Sequence, residues 1–326
     1  MAVTKGTHIM TISTQAAYII TPGKVDIRDI TLPAPAQGQY LLEIAENGIC
    51  GGDFSAYRGE RALPEPLGHE GAGWISQVGP GMDPSVIGTL VTAWVPQGCL
   101  LAKHALVQAA NTWTVAPNVA YPSLAEPLAC SANTIDRAKP QLGDIVVVIG
   151  TGMMGLAIVK LSVLSGASKI IVIGRRDDAL QVATSLGATT VINSAVTPLK
   201  DLGLEQQVDI VYEVTGQQSG LNAAYPLVRE AGKLAIVGYH ESNNGERTLP
   251  MAHLNWNEIQ LVNCHFRNLA QIRFGMERGM RLINAGQIDM EPYITRYSWS
   301  QIDQAFKDGM NRPLGFVKAV IEPCRP

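Results

Sequence analysis

The sequence predicts an α/β fold in which a doubly wound parallel sheet is inserted into a β-rich domain. Strands and helices alternate in the middle of the chain, whereas the segments on both sides are rich in short β-type runs. A glycine-rich turn joins an apolar strand to a helix near residue 150. The chain has 326 residues, of which 46% are hydrophobic, and this length suits about two domains, each with its own core.

The first predicted domain is punctuated by Pro and Gly and contains β-type runs at residues 40–44, 73–78 and 89–95. This spacing is typical of a β-rich, partly barrel-like domain, to which we assign residues 1–129. The segment 1–10 has no apolar signal core, and Met10 offers an alternative start.

The middle of the chain alternates strand and helix patterns, which predicts a parallel sheet built from βαβ units. The predicted strands are residues 145–149, 170–173, 208–213, 233–237 and 260–264, and the clearest helices are 154–164 and 178–186. We assign residues 130–266 to this second domain. Residues 267–326 contain two helical patterns and a final strand at 315–321, and we expect them to complete the first domain.

Charge and composition exclude several function classes. The formal charge is −3, with 25 basic and 28 acidic residues and no long basic run, so binding to nucleic acid through phosphate contacts is not expected. No apolar stretch reaches the roughly 18 residues of a membrane span. The odd number of cysteines, five without paired spacing, indicates reduced thiols and predicts a cytoplasmic protein.

Residues 148–155 read VIGTGMMG, a GxGxxG turn between a buried strand and a helix. In such a turn, Gly150 permits the tight bend, Gly152 lets the backbone approach a pyrophosphate, and Gly155 lets the helix pack on the strand. The turn therefore predicts dinucleotide binding. Its intervening residues are further candidate cofactor contacts: Thr151, Met153 and Met154.

The end of the next strand predicts which nicotinamide cofactor is preferred. NAD-binding folds usually carry an acidic residue there that binds the ribose 2′-hydroxyl. This chain has Gly174 instead, followed by Arg175 and Arg176. Losing the carboxylate removes a repulsion against a 2′-phosphate, and guanidinium groups supply forked donors for it. We therefore expect NADP(H) to be preferred over NAD(H).

Potential metal ligands occur in the first domain. Cys50 is followed by His69 and Glu70, and Glu126 lies where the β-rich region ends. A thiolate, an imidazole and carboxylates can form a catalytic zinc site with an open position. Asp53 can accept the second N–H of His69 and fix its tautomer.

These motifs together resemble the medium-chain dehydrogenase/reductase superfamily, in particular its zinc-dependent alcohol and polyol dehydrogenases. The resemblance rests on GICGGD at 48–53, GHEGAG at 68–73, AEPLA at 125–129 and the glycine turn. Within the superfamily, these motifs are most similar to those of the sorbitol dehydrogenase branch. The resemblance implies a GroES-like catalytic domain around a Rossmann domain. It also implies one catalytic zinc on Cys50 and His69, completed by Glu70 or Glu126, and hydride transfer to the nicotinamide. We expect a homodimer or homotetramer.

Two departures from the family pattern stand out. The four-cysteine lobe that usually holds a structural zinc is missing, because Cys99 is the only cysteine between residues 88 and 106. The hydroxyl residue usually found two positions after the zinc cysteine is here Gly52. Ser55, Tyr57, a water molecule or Glu126 would then have to carry the substrate proton.

The sequence thus predicts a zinc-dependent oxidoreductase that transfers a hydride between NADP(H) and a secondary alcohol or ketone. A polyol, a sugar or a cyclitol is the expected substrate class. Two alternatives remain at this point. One is a zinc-free quinone or enoyl reductase of the same superfamily. The other is a non-catalytic nucleotide-binding sensor, which the loss of the relay hydroxyl favours.

Overall fold

The computed structural model describes residues 11–95, 98–198, 201–240, 242–266 and 268–324. The start of the chain and Met10 lie outside these ranges. The strands are β1 Thr11–Thr21, β2 Lys24–Pro33, β3 Gln39–Gly48, β4 Glu65–Pro66, β5 Glu70–Val78, β6 Leu90–Ala93, β7 His104–Gln108, β8 Thr112–Thr114, β9 Ile145–Ile149, β10 Lys169–Gly174, β11 Thr190–Asn193, β12 Val208–Glu213, β13 Val228–Ile236, β14 Gln260–Asn263, β15 Ile294–Ser298 and β16 Lys318–Glu322. The α-helices are α1 Gly51–Tyr57, α2 Ala125–Ala138, α3 Met153–Leu164, α4 Asp177–Ser185, α5 Gln218–Ala224, α6 Met251–Trp256, α7 Leu269–Asn284 and α8 Ile302–Asn311.

The chain divides into two compact units. The first contains the residues up to Glu126, residues 296–310 and those from Ala319 onward. It holds a seven-stranded sheet in the order β15-β16-β3-β5-β6-β8, with β7 paired to β3, and a smaller sheet β2-β1-β4. Its apolar core includes Leu42, Ile44 and Ile75, each at most 2% exposed. This is the β-rich domain that the Pro and Gly spacing predicts.

The second unit contains residues 127–295 and 311–318. Its six strands form a parallel sheet in the order β11-β10-β9-β12-β13-β14. Counted along the chain from β9, this is the strand order of a Rossmann sheet, in which a ligand binds at the carboxyl ends of the strands where the order reverses. The reversal lies between β9 and β12. The α/β fold class expected from the sequence is confirmed.

The unit boundaries differ in part from the expected ones. The first boundary lies after Glu126, three residues before the expected position. The second lies after Thr295, not after residue 266, because α7 packs on α2 within the second unit. There Asn133 Nδ2 donates to the carbonyl of Gln271 at 3.0 Å, and a Cβ on Gly279 would lie 3.1 Å from the backbone of Ala129. The expectation that all residues after 266 belong to the first domain is therefore corrected.

Two further findings concern the whole described chain. Its five cysteines are all free thiols. Within the described ranges, no helix combines the length and the apolar character that crossing a membrane requires.

Candidate active site

Three of the expected metal ligands converge at one edge of the seven-stranded sheet. In the pairing of β3 with β5, Gly48 lies opposite Glu70, so the chain leaving β3 reaches Cys50 beside the start of β5. His69 directly precedes β5. The ligand atoms of Cys50, His69 and Glu70 all lie within 4.8 Å of one another. Thiolate sulfur, imidazole nitrogen and carboxylate oxygen are donors that zinc uses in catalytic sites, so the donor set fits this metal.

The chain beside His69 is shaped by a glycine. Gly68 has a φ of +88°, and a Cβ there would lie 2.3 Å from the backbone nitrogen of Leu101. A side chain at this position would displace the peptide that carries His69. Glu70 is only 2% exposed, whereas the His69 side chain is 30% exposed. The group is therefore buried on one side and accessible on the other, as a catalytic metal site requires.

Asp53 supports the cysteine more directly than the histidine. Its Oδ2 accepts a 2.8 Å hydrogen bond from the backbone N–H of Cys50. The distance from its Oδ1 to Nδ1 of His69 is 3.9 Å, which is longer than a hydrogen bond. Asp53 therefore fixes the turn that presents Cys50, and it acts on His69 through its charge.

Glu126 lies in the first turn of α2, and it is not part of the three-residue ligand group. It is nevertheless close enough to influence His69. Burial lowers the pKa of His69, but the charge and hydrogen bond of Cys50 and the charges of Asp53 and Glu126 together raise it well above its usual range. The site thus concentrates negative charge around one imidazole, an arrangement that favours a bound cation.

The position two residues after Cys50, where the family usually has a hydroxyl side chain, is filled by the guanidinium of Arg61. A Cβ on Gly52 would lie 3.0 Å from Nη2 of Arg61, so the guanidinium takes the space of the absent side chain. Ser55 Oγ accepts a hydrogen bond from Arg58 at 3.3 Å, and the ring of Tyr57 packs 5.2 Å from that of Phe306. Ser55 Oγ is thus engaged by Arg58, and the ring of Tyr57 is held by packing against Phe306. Arg61 was not singled out from the sequence, because the contact depends on the fold.

The glycine turn has the shape that a pyrophosphate needs. Gly150 has a φ of +116°, and a Cβ on Gly155 would lie 2.0 Å from the carbonyl oxygen of Gly150. Only glycine therefore fits at the third position. Around Gly152, in contrast, a Cβ would meet no atom within 4 Å, so this residue, which precedes α3, borders open space. Free amide groups at the start of a helix beside such a space can bind a phosphate, so the turn fits a dinucleotide.

The intervening residues of the turn differ in their surroundings. Met153 is buried, with 8% exposure. Met154 accepts a hydrogen bond on its sulfur from Ser131 Oγ at 3.4 Å. Thr151 contacts the end of the next strand, since a Cβ on Gly174 would lie 2.7 Å from its Cγ2. Met153 is thus part of the core, Met154 is bonded to Ser131 of α2, and Thr151 links the turn to the end of β10.

The two arginines after β10 are not equivalent. Arg175 is exposed. Arg176 donates from Nη2 to the carboxylate of Asp178 at 2.7 Å and to the carbonyl of Phe316 at 2.8 Å. The exposed guanidinium is therefore the one that is available to a ligand, and the sequence alone does not distinguish the two.

A buried polar chain lies at the carboxyl ends of β12 and β13. Glu213 has no exposed surface and accepts hydrogen bonds from the backbone N–H groups of Thr215 and Gly216. His240 Nε2 lies 3.0 Å from its Oε2, and Arg247 Nε donates to His240 Nδ1 at 2.8 Å. These bonds hold the loops at this edge of the sheet. No sequence pattern predicts these contacts, apart from the position of Glu213 at a strand end.

The Rossmann sheet with its glycine turn, and the Cys–His–Glu group of the other unit, define a nicotinamide-dependent dehydrogenase. Comparisons with known proteins agree with this class. The family model for zinc-binding dehydrogenases matches residues 154–279, and that for the GroES-like domain of alcohol dehydrogenases matches residues 36–135.

Individual relatives extend over nearly the whole chain. The sorbitol dehydrogenase of Bacillus subtilis is 27% identical over 363 aligned positions, covering 98% of this chain and all of the relative. A Sinorhizobium meliloti protein assigned to the zinc-binding dehydrogenases and bound to NADP superposes with a TM-score of 0.83 at 21% identity, covering 96% of this chain and 100% of that one. An Escherichia coli alcohol dehydrogenase, rspB, in complex with NADH superposes with a TM-score of 0.85 at 22% identity, covering 95% and 99%. The two structures share the fold of this chain.

The chain belongs to the zinc-type alcohol and polyol dehydrogenase family of the medium-chain dehydrogenase/reductase superfamily. It is an NAD(P)-dependent oxidoreductase that acts on alcohols or polyols.

Proposed function

We propose that this enzyme is a zinc-dependent dehydrogenase that prefers NADP(H) and interconverts a secondary alcohol and the corresponding ketone. A polyol, a sugar or a cyclitol is the proposed substrate class. The observation that supports the proposal most strongly is the placement of the Cys50, His69 and Glu70 ligand atoms within 4.8 Å of one another.

Cys50, His69 and Glu70 are the proposed ligands of one zinc ion per chain, with Glu126 beside them. A zinc ion held there would polarise the substrate oxygen as a Lewis acid. Asp53 keeps Cys50 in place through its hydrogen bond to the Cys50 N–H. Because residue 52 is a glycine, we assign the task of accepting the substrate hydroxyl proton to the half-buried carboxylate of Glu126.

The glycine turn is the proposed site of the cofactor pyrophosphate, and the nicotinamide supplies the hydride acceptor or donor. The end of β10 supports a preference for NADP(H). Gly174 offers no carboxylate to a ribose 2′-hydroxyl, and Arg175 is exposed just beyond it. An exposed guanidinium next to a position without negative charge favours a 2′-phosphate.

The substrate class is supported by what the relatives act on. One relative is a sorbitol dehydrogenase, and another is the D-xylulose reductase of Saccharomyces cerevisiae, 23% identical and covering 95% of this chain and 98% of the relative. Both names refer to polyols or to sugars derived from them. We extend this substrate class to the present enzyme.

Assembly and location complete the proposal. β14 lies at one end of the parallel sheet and pairs only with β13 among the described strands, and Leu261 on it is 43% exposed. An edge strand of this kind can pair with a second copy of the chain, so we propose a homodimer or a homotetramer. Five cysteines without a disulfide support a reducing, cytoplasmic location.

The proposal is tested by measuring turnover on a panel of polyols, sugars and cyclitols with NADP⁺ and NAD⁺, with Cys50→Ala as the matched inactive variant. We expect oxidation of at least one panel member by the wild type and loss of that activity in the variant. A zinc-free reductase would instead retain quinone or enone reduction in the Cys50→Ala variant. A sensor would bind the cofactor without turnover of any panel member.

A further inference from the structure

The loop between α8 and β16 is fastened to the end of β10. Arg176 donates from Nη2 to the carbonyl of Phe316 at 2.8 Å and from Nη1 to the carbonyl of Arg312 at 3.3 Å. Asp178 Oδ2 accepts a 2.6 Å hydrogen bond from the backbone N–H of Gly315. The same carboxylate oxygen pairs with Arg176 Nη2 at 2.7 Å. Three hydrogen bonds from two neighbouring residues therefore fix this loop beside the position that selects the cofactor.

These hydrogen bonds indicate that Arg176 does not itself bind the cofactor 2′-phosphate. Its guanidinium donates hydrogen bonds to two carbonyls and one carboxylate of its own chain. Arg176 is thus a positioning residue, which acts through the loop that it holds. Arg175 is left as the exposed guanidinium of the pair.

Arg312 brings another guanidinium to the same place. Its backbone has a φ of +48°, in the left-handed region that side-chain-bearing residues rarely adopt. The residue is exposed overall, yet partial burial of its guanidinium and then the charge of Arg176 lower its pKa. The Arg312 carbonyl accepts a hydrogen bond from Arg176 Nη1 at 3.3 Å, so the exposed Arg312 side chain starts beside Arg176. A bound anion at this place would pair with the Arg312 guanidinium.

The acidic side chains at the start of α4 already have partners. Asp177 Oδ1 accepts a 2.7 Å hydrogen bond from Asn193 Nδ2. Asp178 is paired with Arg176 and bonded to Gly315. Both carboxylates are therefore engaged by groups other than Arg312.

We infer that Arg312 is a second ligand of the cofactor 2′-phosphate, opposite Arg175, and that Arg176 positions it through the fastened loop. Two forked donors from separate segments of the chain would then enclose the phosphate. The inference rests on the proposed preference for NADP(H) and deepens it, because it adds a specificity residue more than 130 positions away from the end of β10.

The test uses two fragments that need neither zinc nor substrate. The dissociation constants of 2′,5′-ADP, which carries the 2′-phosphate, and of 5′-AMP, which lacks it, are measured by calorimetry on the full chain. In Arg312→Gln we expect the 2′,5′-ADP dissociation constant to rise about tenfold, as befits one exposed charge-assisted contact, and that of 5′-AMP to stay unchanged. Arg281→Gln is the matched control, since Arg281 is 74% exposed on α7 of the same unit, and it should change neither constant.

Arg176→Ala tests the positioning role. If Arg176 acts through Arg312, the two substitutions should not add. The 2′,5′-ADP dissociation constant of the double variant Arg176→Ala with Arg312→Gln should then equal the larger of the two single-variant values. Additive losses would overturn the positioning role. Should Arg312→Gln fold poorly in a thermal melt, Arg312→Lys keeps the charge and loses the fork, and it should show a smaller loss that is again confined to 2′,5′-ADP.

Two results would overturn the assignment of Arg312. In one, Arg312→Gln binds 2′,5′-ADP as tightly as the wild type. In the other, it loses affinity for both fragments equally, which would indicate a purely structural loop. A wild type that binds the two fragments equally well would instead contradict the NADP(H) preference itself, so the two failures are distinguishable.

Discussion

Gly174 and Thr151 are fitted to each other: a Cβ at residue 174 would lie 2.7 Å from Cγ2 and 3.0 Å from Oγ1 of Thr151. The glycine turn and the end of β10 can approach this closely only because residue 174 has no side chain. The sequence suggested an electrostatic reason for this glycine, the absence of a carboxylate. The structure adds a steric reason that is independent of the cofactor.

This contact predicts a coupled pair of substitutions. Gly174→Ala should reduce the free energy of unfolding by about 1–3 kcal/mol, the usual cost of overpacking. Thr151→Ala removes both atoms nearest to the added methyl group, so the double variant should be more stable than the sum of the single effects predicts. Urea unfolding of the four proteins measures the coupling. Strict additivity would show that the contact is unimportant.

The cofactor preference gives a second prediction. Arg175→Ala should lower the ratio of kcat/KM for NADP⁺ to that for NAD⁺ by about tenfold, because one charge-assisted hydrogen bond is lost and solvent exposure limits its strength. Arg175→Lys keeps the charge and serves as the control, with a smaller loss. The triple variant Gly174→Asp, Arg175→Ala, Thr151→Ala should prefer NAD⁺ to NADP⁺. The new carboxylate repels a 2′-phosphate, and Thr151→Ala makes room for its side chain. An unchanged ratio in all variants would refute the role of this strand end.

A third prediction concerns the helix that follows Cys50. A Cβ on Gly309 would lie 2.2 Å from Cζ of Phe54, whose ring also packs 5.7 Å from that of Phe306. Gly309→Ala should therefore destabilise the fold by about 1–3 kcal/mol. Gly51→Ala is the matched control, since its Cβ would meet no atom within 4 Å, and its effect should stay within about 0.5 kcal/mol. Equal melting temperatures of the two variants would contradict the packing argument.

The fourth prediction concerns acid stability. The hydrogen bond from Arg176 and the N–H of Gly315 hold the pKa of Asp178 below its ordinary value of 3.8, although burial opposes this. A carboxyl whose pKa is lower in the folded state stabilises the fold fully above 3.8, and the contribution is lost as the pH falls through the lowered value.

Arg176→Ala removes the main cause of that shift. Its deficit in the free energy of unfolding should be largest near neutral pH and should shrink as the pH falls below 3.8. Chemical unfolding at a series of pH values measures the deficit. Arg281→Ala, at an exposed ion pair, should show a small deficit at every pH. A deficit for Arg176→Ala that does not depend on pH would contradict the assignment.

The sequence predicts five of the six strands of the Rossmann sheet, because these strands are short apolar runs. β11 was not predicted, and two of its four residues are exposed. β9 and β12 begin and end where the pattern places them. Asp144 and Gly150 bound the first run, and Glu213 is the last residue of the second. The hairpin of β1 and β2 was not predicted. β2 has a mostly polar and partly exposed pattern, which gives little of the apolar signal on which strand prediction depends.

The position of α7 shows a second feature that the sequence does not predict. Its apolar spacing predicts a helix, but not the surface that the helix covers. The contact with α2 depends on the small size of Gly279 and on a hydrogen bond between Asn133 and Gln271. These residues are far apart in the chain, so the local pattern contains no information about their contact.

The candidate site shows the same division. Spacing and chemistry identify the donors, but the register between β3 and β5 decides that Glu70 joins Cys50 and His69. The difference between Arg175 and Arg176 likewise depends on carbonyls of the loop before β16. Motifs therefore predict which chemistry is available, and tertiary contacts decide which of two neighbouring residues performs it.

The central claim is a single catalytic zinc ion held by Cys50, His69 and Glu70. The most direct test is the zinc content per chain, measured by elemental mass spectrometry on wild type and on Cys50→Ala after gel filtration, with Cys99→Ala as the control for loss of an unrelated thiol. We predict one zinc per chain in wild type and in Cys99→Ala, and none in a folded Cys50→Ala with an unchanged circular dichroism spectrum. Wild type without zinc after incubation with the metal, or Cys50→Ala that retains one zinc per chain, would contradict the account.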